Sequence, residues 1–468
     1  MKPNILFIVI DSFQANKCYS EDKTSITPNI DFLIKNGTYF SQTICAAPST
    51  VPSFASIFTG LYPFESVIRE KKFFKIDPKK NTFVKNLIDF GYTPYATIPK
   101  LFSLIGLERI FENRIETFES FENLHDGVGD QIINKLNSKK LQEPWFYYLH
   151  LMDLHGTESS FITKPPIEFS DTKFGNNQYE QMISAMDVWL GKILKKIDLE
   201  NTLIILTADH GADSASWTPE MEKFAQLNIE KRKVESGIIH NIAMKVPKPI
   251  IPFRRTLSEK YIKKRDETIE KKIQPELDKI DDLQLTPYEK RLMQNAVAIV
   301  PKVYEEICHV PLIISGLGIS QRIIKQLVSS IDIFPTIAEI IELPPKNEKI
   351  HGKSLLPLIN GHSLSERPAY IESDTHSSSI NNVVGVRTSN YKYFRSGEDP
   401  TKNIHLFNLE DDILEERNIA KENPSIVEEM ENILQKIKHD SLIEINQNEM
   451  SQDEMKKIEA ELKKLGYV

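Results

Sequence analysis

Residues 4–11 read NILFIVID. A continuous run of large apolar side chains, rich in β-branched residues, is typical of a strand that is buried on both faces of a parallel sheet. The run ends at Asp11, and in α/β proteins ligands bind beyond the carboxyl ends of such strands. The run therefore predicts a central strand and makes Asp11 a candidate functional residue.

The same pattern recurs at residues 145–151, WFYYLHL, and at residues 203–207, LIILT. Between these two runs, residues 179–197 carry apolar side chains at helical spacing. Strands that alternate with amphipathic helices are typical of an α/β protein. We therefore expect a doubly wound, mostly parallel sheet.

The composition and the pattern of predicted elements divide the chain into two parts of unequal length. Residues 1–345 are interpreted as the α/β domain, and residues 346–468 as a smaller α+β subdomain that ends in helices. Within the first part, residues 217–300 are rich in charged side chains and are predicted to form a helical insertion. Three roles are open for this insertion: a lid, a contact in a homo-oligomer, or a solvated helical hairpin.

Composition limits the partners of the protein. The chain has 468 residues, of which 40% are hydrophobic and 26% charged, and its net charge of −8 argues against a nucleic-acid partner. Cys18, Cys45 and Cys308 are few and lack metal-ligand spacing, which favours free thiols in a reducing compartment. No run approaches 18 apolar residues, so no membrane span is expected. These features predict a cytoplasmic protein.

Three places in the sequence supply groups that can hold a cation. Residues 47–60, APSTVPSFASIFTG, place Thr50 in a hydroxyl-rich turn before an apolar helix, and Asp209 and His210 follow a predicted strand. Together with Asp11 they offer two carboxylates, a hydroxyl and an imidazole, a suitable set for one divalent ion such as Mn, Zn, Mg or Ca. Such an ion lowers the pKa of a nearby hydroxyl, which makes Thr50 a candidate nucleophile. Each residue alone is better explained as a cap or turn residue.

Further motifs resemble the sulfatase branch of the alkaline phosphatase superfamily. In chain order they are TPNIDFL at 27–33, TGLYP at 59–63, GYT at 91–93, YEE at 304–306, VPLI at 310–313, DIFPT at 332–336, HGKSLLPL at 351–358, VRTSNYKY at 386–393 and LFNL at 406–409. The resemblance covers nearly the whole chain outside 217–300. It implies the alkaline-phosphatase-like fold and the hydrolysis of an anionic ester.

The sequence departs from the sulfatase pattern at the nucleophile. In sulfatases the position of Thr50 is Cys or Ser that matures to formylglycine, the position of Phe54 is Arg, and a second acid stands where this chain has Ser12. We therefore expect no formylglycine. A single acid with Thr and Asp-His is more similar to relatives that use threonine on phosphate esters, namely phosphoglycerol and phosphoethanolamine transferases and nucleotide phosphodiesterases. This similarity favours a phosphate ester over a sulfate ester.

The resemblance also implies further site residues. Asp153-Leu154-His155 occupies the position of the family's DxH motif, so His155 is a candidate catalytic proton donor and Asp153 a candidate substrate-binding residue. Lys302 and Lys100 lie near positions where the family carries lysines that bind the substrate anion, although a surface position is the default for both.

Three functions are compatible with the sequence. The first is a metal-dependent hydrolase or transferase that acts on a phosphate or sulfate ester through Thr50. The second is a sulfatase that uses unmodified Thr50. The third is a non-catalytic member of the fold that binds an anionic glycan or a protein. The expected substrate is a small anionic ester, with a glycan or a lipid head group as its carrier.

Overall fold

The computed structural model describes residues 2–70, 73–102, 107–119, 122–138, 141–155, 164–212, 280, 284–296, 302–346, 349–373 and 382–441. Of the predicted insertion at 217–300, only 280 and 284–296 belong to these residues. The rest of the charged helices predicted there, and those predicted beyond 441, lie outside the described residues.

Over the described residues the strands form one large sheet, a four-stranded sheet and a hairpin. In chain order they are β1 (Asn4–Ile10), β2 (Gly37–Ile44), β3 (Val67–Glu70), β4 (Phe73–Ile76), β5 (Thr93–Pro99), β6 (Ile115–Phe118), β7 (Trp145–Leu151), β8 (Thr202–Thr207), β9 (His309–Ser315), β10 (Arg322–Ile324), β11 (Val328–Ser329), β12 (Ala369–Ser373), β13 (Val383–Arg387), β14 (Tyr391–Ser396) and β15 (His405–Asn408). The three apolar runs described above form β1, β7 and β8.

The large sheet has nine strands, in the order β10-β2-β9-β8-β1-β7-β5-β6, with the short β11 also paired to β2. Every pairing in it is parallel except those that β9 makes with β2 and β8. The predicted α/β fold with a mostly parallel sheet is therefore confirmed. The sequence predicts β9 as a strand but not its reversed direction, because an apolar run carries no directional signal.

Helices connect these strands. In chain order they are α1 (Ala15–Cys18), α2 (Pro28–Lys35), α3 (Thr50–Thr59), α4 (Pro63–Ser66), α5 (Phe83–Asp89), α6 (Lys100–Phe102), α7 (Glu108–Ile110), α8 (Val128–Asn137), α9 (Gln178–Leu194), α10 (Pro287–Ala296), α11 (Glu305–Cys308), α12 (Ile333–Ile340), α13 (Leu356–Ile359) and α14 (Pro424–Asp440). The helix expected at 179–197 is α9. Among the described helices, none is both long and apolar enough to cross a membrane.

The core is centred on β1, all seven residues of which are buried. Its Phe7 contacts Phe58 of α3 and Phe83 of α5, with ring centroids 6.2 and 6.1 Å apart. Helices α2 and α9 pack against each other, and α2 also packs on β2 and β9. Since side chains cover both faces of β1, the strand needs no alternation of polar and apolar residues.

A second, smaller core lies under the antiparallel sheet β12-β13-β14-β15. Helix α14 packs on β13 and β14, and its Met430 and Leu434 are buried against the sheet. The sequence also predicts short strands at 369–372, 383–387 and 391–394, and these form β12, β13 and β14. Strand β15 overlaps the family motif LFNL, for which no strand is predicted from the sequence. The domain boundaries and the role of the insertion remain predictions.

The three cysteines are free and buried. This state is compatible with the reducing compartment inferred from the sequence, and the cytoplasmic location stays a prediction.

The direction of the strands brings their ends together. Strands β1, β7 and β8 run in parallel, and β2 shares their direction because β9 is antiparallel to both β2 and β8. The loops after these four strands therefore leave the same edge of the sheet. They carry the residues singled out in the sequence as candidate site residues.

Candidate active site

Asp11 is the first residue after β1, and its side chain is fully buried. Its Oδ1 accepts hydrogen bonds from Ser12 Oγ at 2.7 Å and from His155 Nδ1 at 2.9 Å. Its Oδ2 accepts from Thr50 Oγ1 at 3.2 Å and from His150 Nε2 at 3.4 Å. Asp11 is therefore the centre of the site, with donors from four different positions of the chain.

The charge state of Asp11 fixes the protons of its neighbours. Burial alone would raise the pKa of Asp11, but His155 and His150 outweigh burial and hold that pKa well below its usual range. Because an ionised carboxylate only accepts hydrogen bonds, His155 Nδ1 and His150 Nε2 must carry protons. The other ring nitrogen of His150, Nδ1, lies 2.7 Å from the Tyr148 hydroxyl, which donates to it. The tautomer of His150 is thus set from both sides.

Thr50 is the first residue of α3, and the loop before it follows β2. Its Oγ1 lies 3.2 Å from Asp11 Oδ2 and 3.4 Å from His210 Nε2. One turn later, Ser53 Oγ donates to the backbone carbonyl of Asp209 at 2.5 Å and ties the helix to the segment after β8. The free N–H groups at the start of a helix favour negative charge, so Thr50 lies where an anionic group is stabilised.

Asp209 and His210 complete the cluster. One ligand atom each from Asp11, Asp209 and His210 lies within 4.8 Å of the others. Asp209 is fully buried, and its Oδ2 has no hydrogen-bond partner among the described residues. Burial and the neighbouring Asp11 raise the pKa of Asp209. Two adjacent buried carboxylates, one with an unsatisfied oxygen, are costly without a positive charge between them.

The tautomer of His210 points to the same conclusion. Its Nδ1 lies 2.8 Å from the carbonyl oxygen of Gly211, which can only accept, so Nδ1 carries the proton. In the neutral ring the lone pair of Nε2 then faces Asp209 Oδ2 at 3.6 Å and Thr50 Oγ1 at 3.4 Å. A lone pair and a carboxylate oxygen repel each other unless a cation lies between them. The donor set and the spacing fit one divalent ion, whose bonds to such ligands are roughly 2.0–2.6 Å long.

The two polar residues of the DxH segment, Asp153 and His155, lie in different surroundings. His155 joins the cluster through Asp11, and 15% of its side chain is exposed. Asp153 is buried and accepts a hydrogen bond from the backbone N–H of Leu124 at 3.2 Å. Burial raises the pKa of Asp153 to about 7. The structure thus brings His155 to the site, and the predicted substrate contact of Asp153 stays a prediction.

The two candidate lysines have different surroundings. Lys100 is the first residue of α6 after β5, and its exposed Nζ lies 3.1 Å from Glu119 Oε1 in a surface ion pair. Lys302 is half-buried before α11. The contact of both lysines with a substrate anion stays a prediction.

Sequence reasoning missed His150. This residue lies within β7, opposite Val9 of β1, and is fully buried. Its ring contacts Phe102 at a right angle, with ring centroids 4.5 Å apart. A polar side chain inside an otherwise apolar strand that neighbours β1 was the available signal, because such a residue needs a buried partner.

With this geometry in place, comparisons identify the family. The family model described as Sulfatase matches residues 3–343, and a model described as N-sulphoglucosamine sulphohydrolase, C-terminal, matches residues 300–462. This chain belongs to the sulfatase family. As its motifs predict, it is a hydrolase of ester bonds in the alkaline phosphatase superfamily, and sulfatases generally use a divalent metal ion.

Curated sulfatases align with most of this sulfatase-family chain. Arylsulfatase K of Gallus gallus is 24% identical over 460 residues, which are 93% of this chain and 82% of that protein. Arylsulfatase K of Homo sapiens is 24% identical over 467 residues, with the same shares.

Solved structures share the fold. A phosphonate monoester hydrolase of Agrobacterium radiobacter aligns with a TM-score of 0.61 and 16% identity over 97% of this chain and 99% of its own. A 2-O GAG sulfatase aligns with a TM-score of 0.62 and 17% identity over 94% of this chain and 93% of its own. At these identities the likeness concerns the fold alone.

Two departures from the sulfatase pattern have structural consequences. Phe54, at the position of the sulfatase Arg, is buried, and its ring centroid lies 3.9 Å from that of Phe58 and 5.4 Å from that of Tyr148. Ser12, at the position of the second acid, has a left-handed backbone with φ of 63°, and its N–H donates to Asp209 Oδ1 at 3.3 Å. The first change removes a cation beside the nucleophile. The second replaces a charge with hydrogen bonds that hold Asp11 and Asp209.

Proposed function

We propose that this sulfatase-family protein hydrolyses a small anionic ester through a covalent intermediate on Thr50, with a phosphate ester as the favoured substrate. The observation that carries the proposal is the position of Thr50 Oγ1, 3.2 Å from Asp11 Oδ2 and 3.4 Å from His210 Nε2. The same His210 Nε2 lies 3.6 Å from Asp209 Oδ2, an oxygen with no hydrogen-bond partner in the part of the chain that the structure describes. A nucleophile needs such neighbours, because a free threonine hydroxyl is not ionised at neutral pH.

Asp11, Thr50, Asp209 and His210 would hold one divalent cation. When bound, this ion would lower the pKa of a hydroxyl at the site and neutralise the negative charge of the reacting ester. The chain itself contributes the start of α3, whose N–H groups favour the anionic group of the substrate. It also contributes the hydrogen bonds of Ser12 and His150, which keep the Asp11 carboxylate in one orientation.

The proposed reaction has two balanced steps. In the first, Thr50 Oγ1 forms a bond to phosphorus while the bond from phosphorus to the leaving oxygen breaks. The hydroxyl proton passes to bulk water, because the depressed pKa of Asp11 makes that carboxylate a poor base, and the leaving oxygen takes a proton from His155. In the second step, His155 takes a proton from the attacking water, the water oxygen forms a bond to phosphorus, and the bond from phosphorus to Thr50 Oγ1 breaks. An alcohol in place of water would make the enzyme a transferase.

The preference for phosphate follows from the nucleophile. A formylglycine hydrate can expel sulfate by re-forming its aldehyde, whereas an ester on Thr50 has no such route and must be cleaved by direct attack. Phe54 supports this preference because it supplies no guanidinium beside the nucleophile. A second candidate, a sulfate ester cleaved through unmodified Thr50, is favoured by the arylsulfatase K relatives.

An activity panel separates the candidates. The purified protein is assayed with p-nitrophenyl phosphate, bis(p-nitrophenyl) phosphate, p-nitrophenyl phenylphosphonate and p-nitrophenyl sulfate, each with Mg²⁺, Ca²⁺, Mn²⁺ or Zn²⁺. We expect a phosphorus ester to be turned over fastest. A sulfate ester that is turned over faster than every phosphorus ester would instead establish the second candidate.

The role of the nucleophile is tested in the same assay with Thr50→Ala and with Thr59→Val as the matched control. Thr59 is the last residue of α3, and its hydroxyl donates to the carbonyl of Ala55 within the helix. Thr50→Ala should abolish turnover, and Thr59→Val should retain it. Quenched wild-type reactions should yield a modified Thr50 peptide in mass spectrometry. Full turnover by Thr50→Ala would remove Thr50 from the mechanism, and no turnover or ion binding by the wild type would favour the non-catalytic alternative.

A further inference from the structure

We propose that Arg291, within the predicted insertion, is a positioning residue for the cation site: through Glu306 it fixes the backbone that holds His210. The inference rests on the cation site of the proposed function. It assigns a role to the described end of the insertion, namely that of positioning a residue of the cation site.

Arg291 lies in α10 and is buried. Its Nε and Nη2 donate to the two carboxylate oxygens of Glu306 at 3.1 and 3.0 Å, and the guanidinium lies 4.0 Å from the ring centroid of Tyr304. Its Nη1 and Nη2 also donate to the carbonyls of Glu415 and Leu414, both at 2.8 Å. A planar fork with this many fixed partners holds Glu306 in one place.

Glu306 belongs to α11, which touches the cation site through its backbone. The N–H of Gly211 donates to the carbonyl of Ile307 at 2.7 Å. A Cβ at position 211 would lie 2.3 Å from the carbonyl oxygen of Glu306, so only glycine permits this approach. The carbonyl of Gly211 in turn accepts from Nδ1 of His210. A shift of α11 would therefore move the imidazole that faces Asp209.

The same short helix also contacts the segment that leads to the nucleophile. The N–H of Cys45 donates to the carbonyl of Cys308 at 2.9 Å, at the end of β2. Helix α11 therefore contacts both the segment before Thr50 and the segment after Asp209. Arg291 secures it from the insertion, and Lys392 secures it from the C-terminal sheet through Glu305 at 3.0 Å.

The test measures cation affinity, which a purely structural role would leave unchanged. Mn²⁺ is titrated calorimetrically into the full-length wild type and into Arg291→Met, Arg291→Lys and Glu306→Gln. Loss of an outer partner of a metal ligand typically lowers affinity 10- to 100-fold. Arg291 acts through Glu306 and Gly211 and not directly on a ligand, so we expect the Kd for Mn²⁺ to rise toward the low end of this range, about tenfold, in Arg291→Met. The rise should be smaller in Arg291→Lys, with kcat largely recovered at saturating Mn²⁺.

Arg395→Met is the matched control. Arg395 is also buried and binds Glu431 in the same forked manner, through Nε at 3.1 Å and Nη2 at 3.0 Å, but it joins β14 to α14. This variant should lose stability and keep the wild-type Kd. If Arg291→Met does not fold, Arg291→Lys and Glu306→Gln decide the question.

Two results would overturn the inference while leaving the proposed function intact. The first is a wild-type Kd in both Arg291→Lys and Glu306→Gln. The second is an equal rise in Kd in Arg395→Met. A wild-type protein that binds Mn²⁺ but turns over no ester would refute the proposed function alone. A wild-type protein that binds no cation would refute both.

Discussion

This protein has two clusters of buried acidic side chains, one in the active site and one at the junction with the C-terminal sheet. The two clusters differ in which positively charged groups balance their negative charge. In the active site, the ion-pair partners of Asp11 and Asp209 among the described residues are all histidines. At the junction with the C-terminal sheet, three glutamates face three cations of the chain itself: Glu305, Glu306 and Glu415 with Arg291, Arg387 and Lys392.

The pKa values express the same difference. Burial would raise the pKa of Glu305, but Lys392 and Arg387 outweigh it and hold the pKa at about 2. In the active site, burial and Asp11 together raise the pKa of Asp209.

Burial raises the pKa of Glu415 to about 7 even at the junction, so the junction is balanced in formal charge although one of its carboxyls is not held ionised. In the active site, no lysine or arginine among the described residues pairs with either Asp11 or Asp209, which leaves a deficit of positive charge. A site that binds a cation must keep such a deficit, at a cost in stability.

The largest expected effect is that of Asp209→Asn, which removes one of the two buried negative charges of the active site. The amide keeps the acceptor for the N–H groups of Ser12 and His210, but the site loses a charged ligand. We expect turnover to fall by roughly 10⁴-fold or more, as for loss of an essential catalytic group. The free energy of unfolding without metal should rise by about 1 kcal/mol, because a buried like charge is gone.

The two measurements for Asp209→Asn are an activity assay and urea denaturation in the presence of a chelator. Asp31→Asn is a suitable control, since Asp31 pairs with Lys23 on a part-exposed surface away from the site. Lower stability of the apo form of Asp209→Asn would contradict the claim that the active site carries an uncompensated charge.

The opposite result is expected at the junction. Lys392→Met removes a fully buried cation whose Nζ lies 3.0 Å from Glu305 and 3.2 Å from Glu415. Glu415 then loses its ion-pair partner, and Glu305 keeps only Arg387 among the described residues. Breaking a buried pair in this way costs about 3–5 kcal/mol. Lys402→Met, which breaks an exposed pair with Asp399, should cost about 1 kcal/mol or less. Equal effects in thermal denaturation would mean that the junction does not depend on its internal cations.

A third buried acid allows the comparison to be tested by pH. The pKa of Asp153 is about 7 in the folded protein because burial raises it, against about 3.9 in an unfolded chain. The folded state therefore binds more protons between these values, so stability is lost as the pH rises from about 4 to about 7.

Asp153→Asn removes this dependence. Relative to the wild type, the variant should be equally stable near pH 4 and more stable by at most about 4 kcal/mol near pH 8. Chemical denaturation with a chelator at four pH values gives the difference directly. A difference that is constant with pH would show that folding does not raise the pKa of Asp153.

The smallest expected effect concerns the outer partner of Asp11. Tyr148→Phe removes the hydroxyl that donates to His150 Nδ1 and so loosens the tautomer that donates to Asp11. We expect the Kd for Mn²⁺ to rise by about tenfold or less, toward the low end for outer-shell changes. Tyr147→Phe is the control, because its hydroxyl bonds to Thr97 instead. The same Kd in both variants would exclude a role for the Tyr148–His150 pair.

Much of the active site could be found in the sequence because its residues follow easily recognised strands. Asp11 and Asp209 lie beyond β1 and β8, and Thr50 opens α3 within a motif of the family. His150 was not predicted as a site residue, because it lies inside a strand. Its partner Asp11 follows a different strand, and only the sheet places the two side by side. Arg291 was not predicted as a functional residue, because in the sequence it looks like the exposed charged residues of the same helix. Its burial and its ion pair with Glu306 are visible only in the tertiary structure.

The sequence by itself determined the alternation of strands and helices that makes the sheet mostly parallel, and which residues follow its strands, because the pattern of each element is a local property repeated along the chain. Only the tertiary structure decided which buried acids are neutralised. Compensation depends on distances between residues far apart in sequence, such as the 87 positions that separate Glu305 from Lys392. Electrostatic energy in a buried site changes steeply with such distances, and no local pattern encodes them.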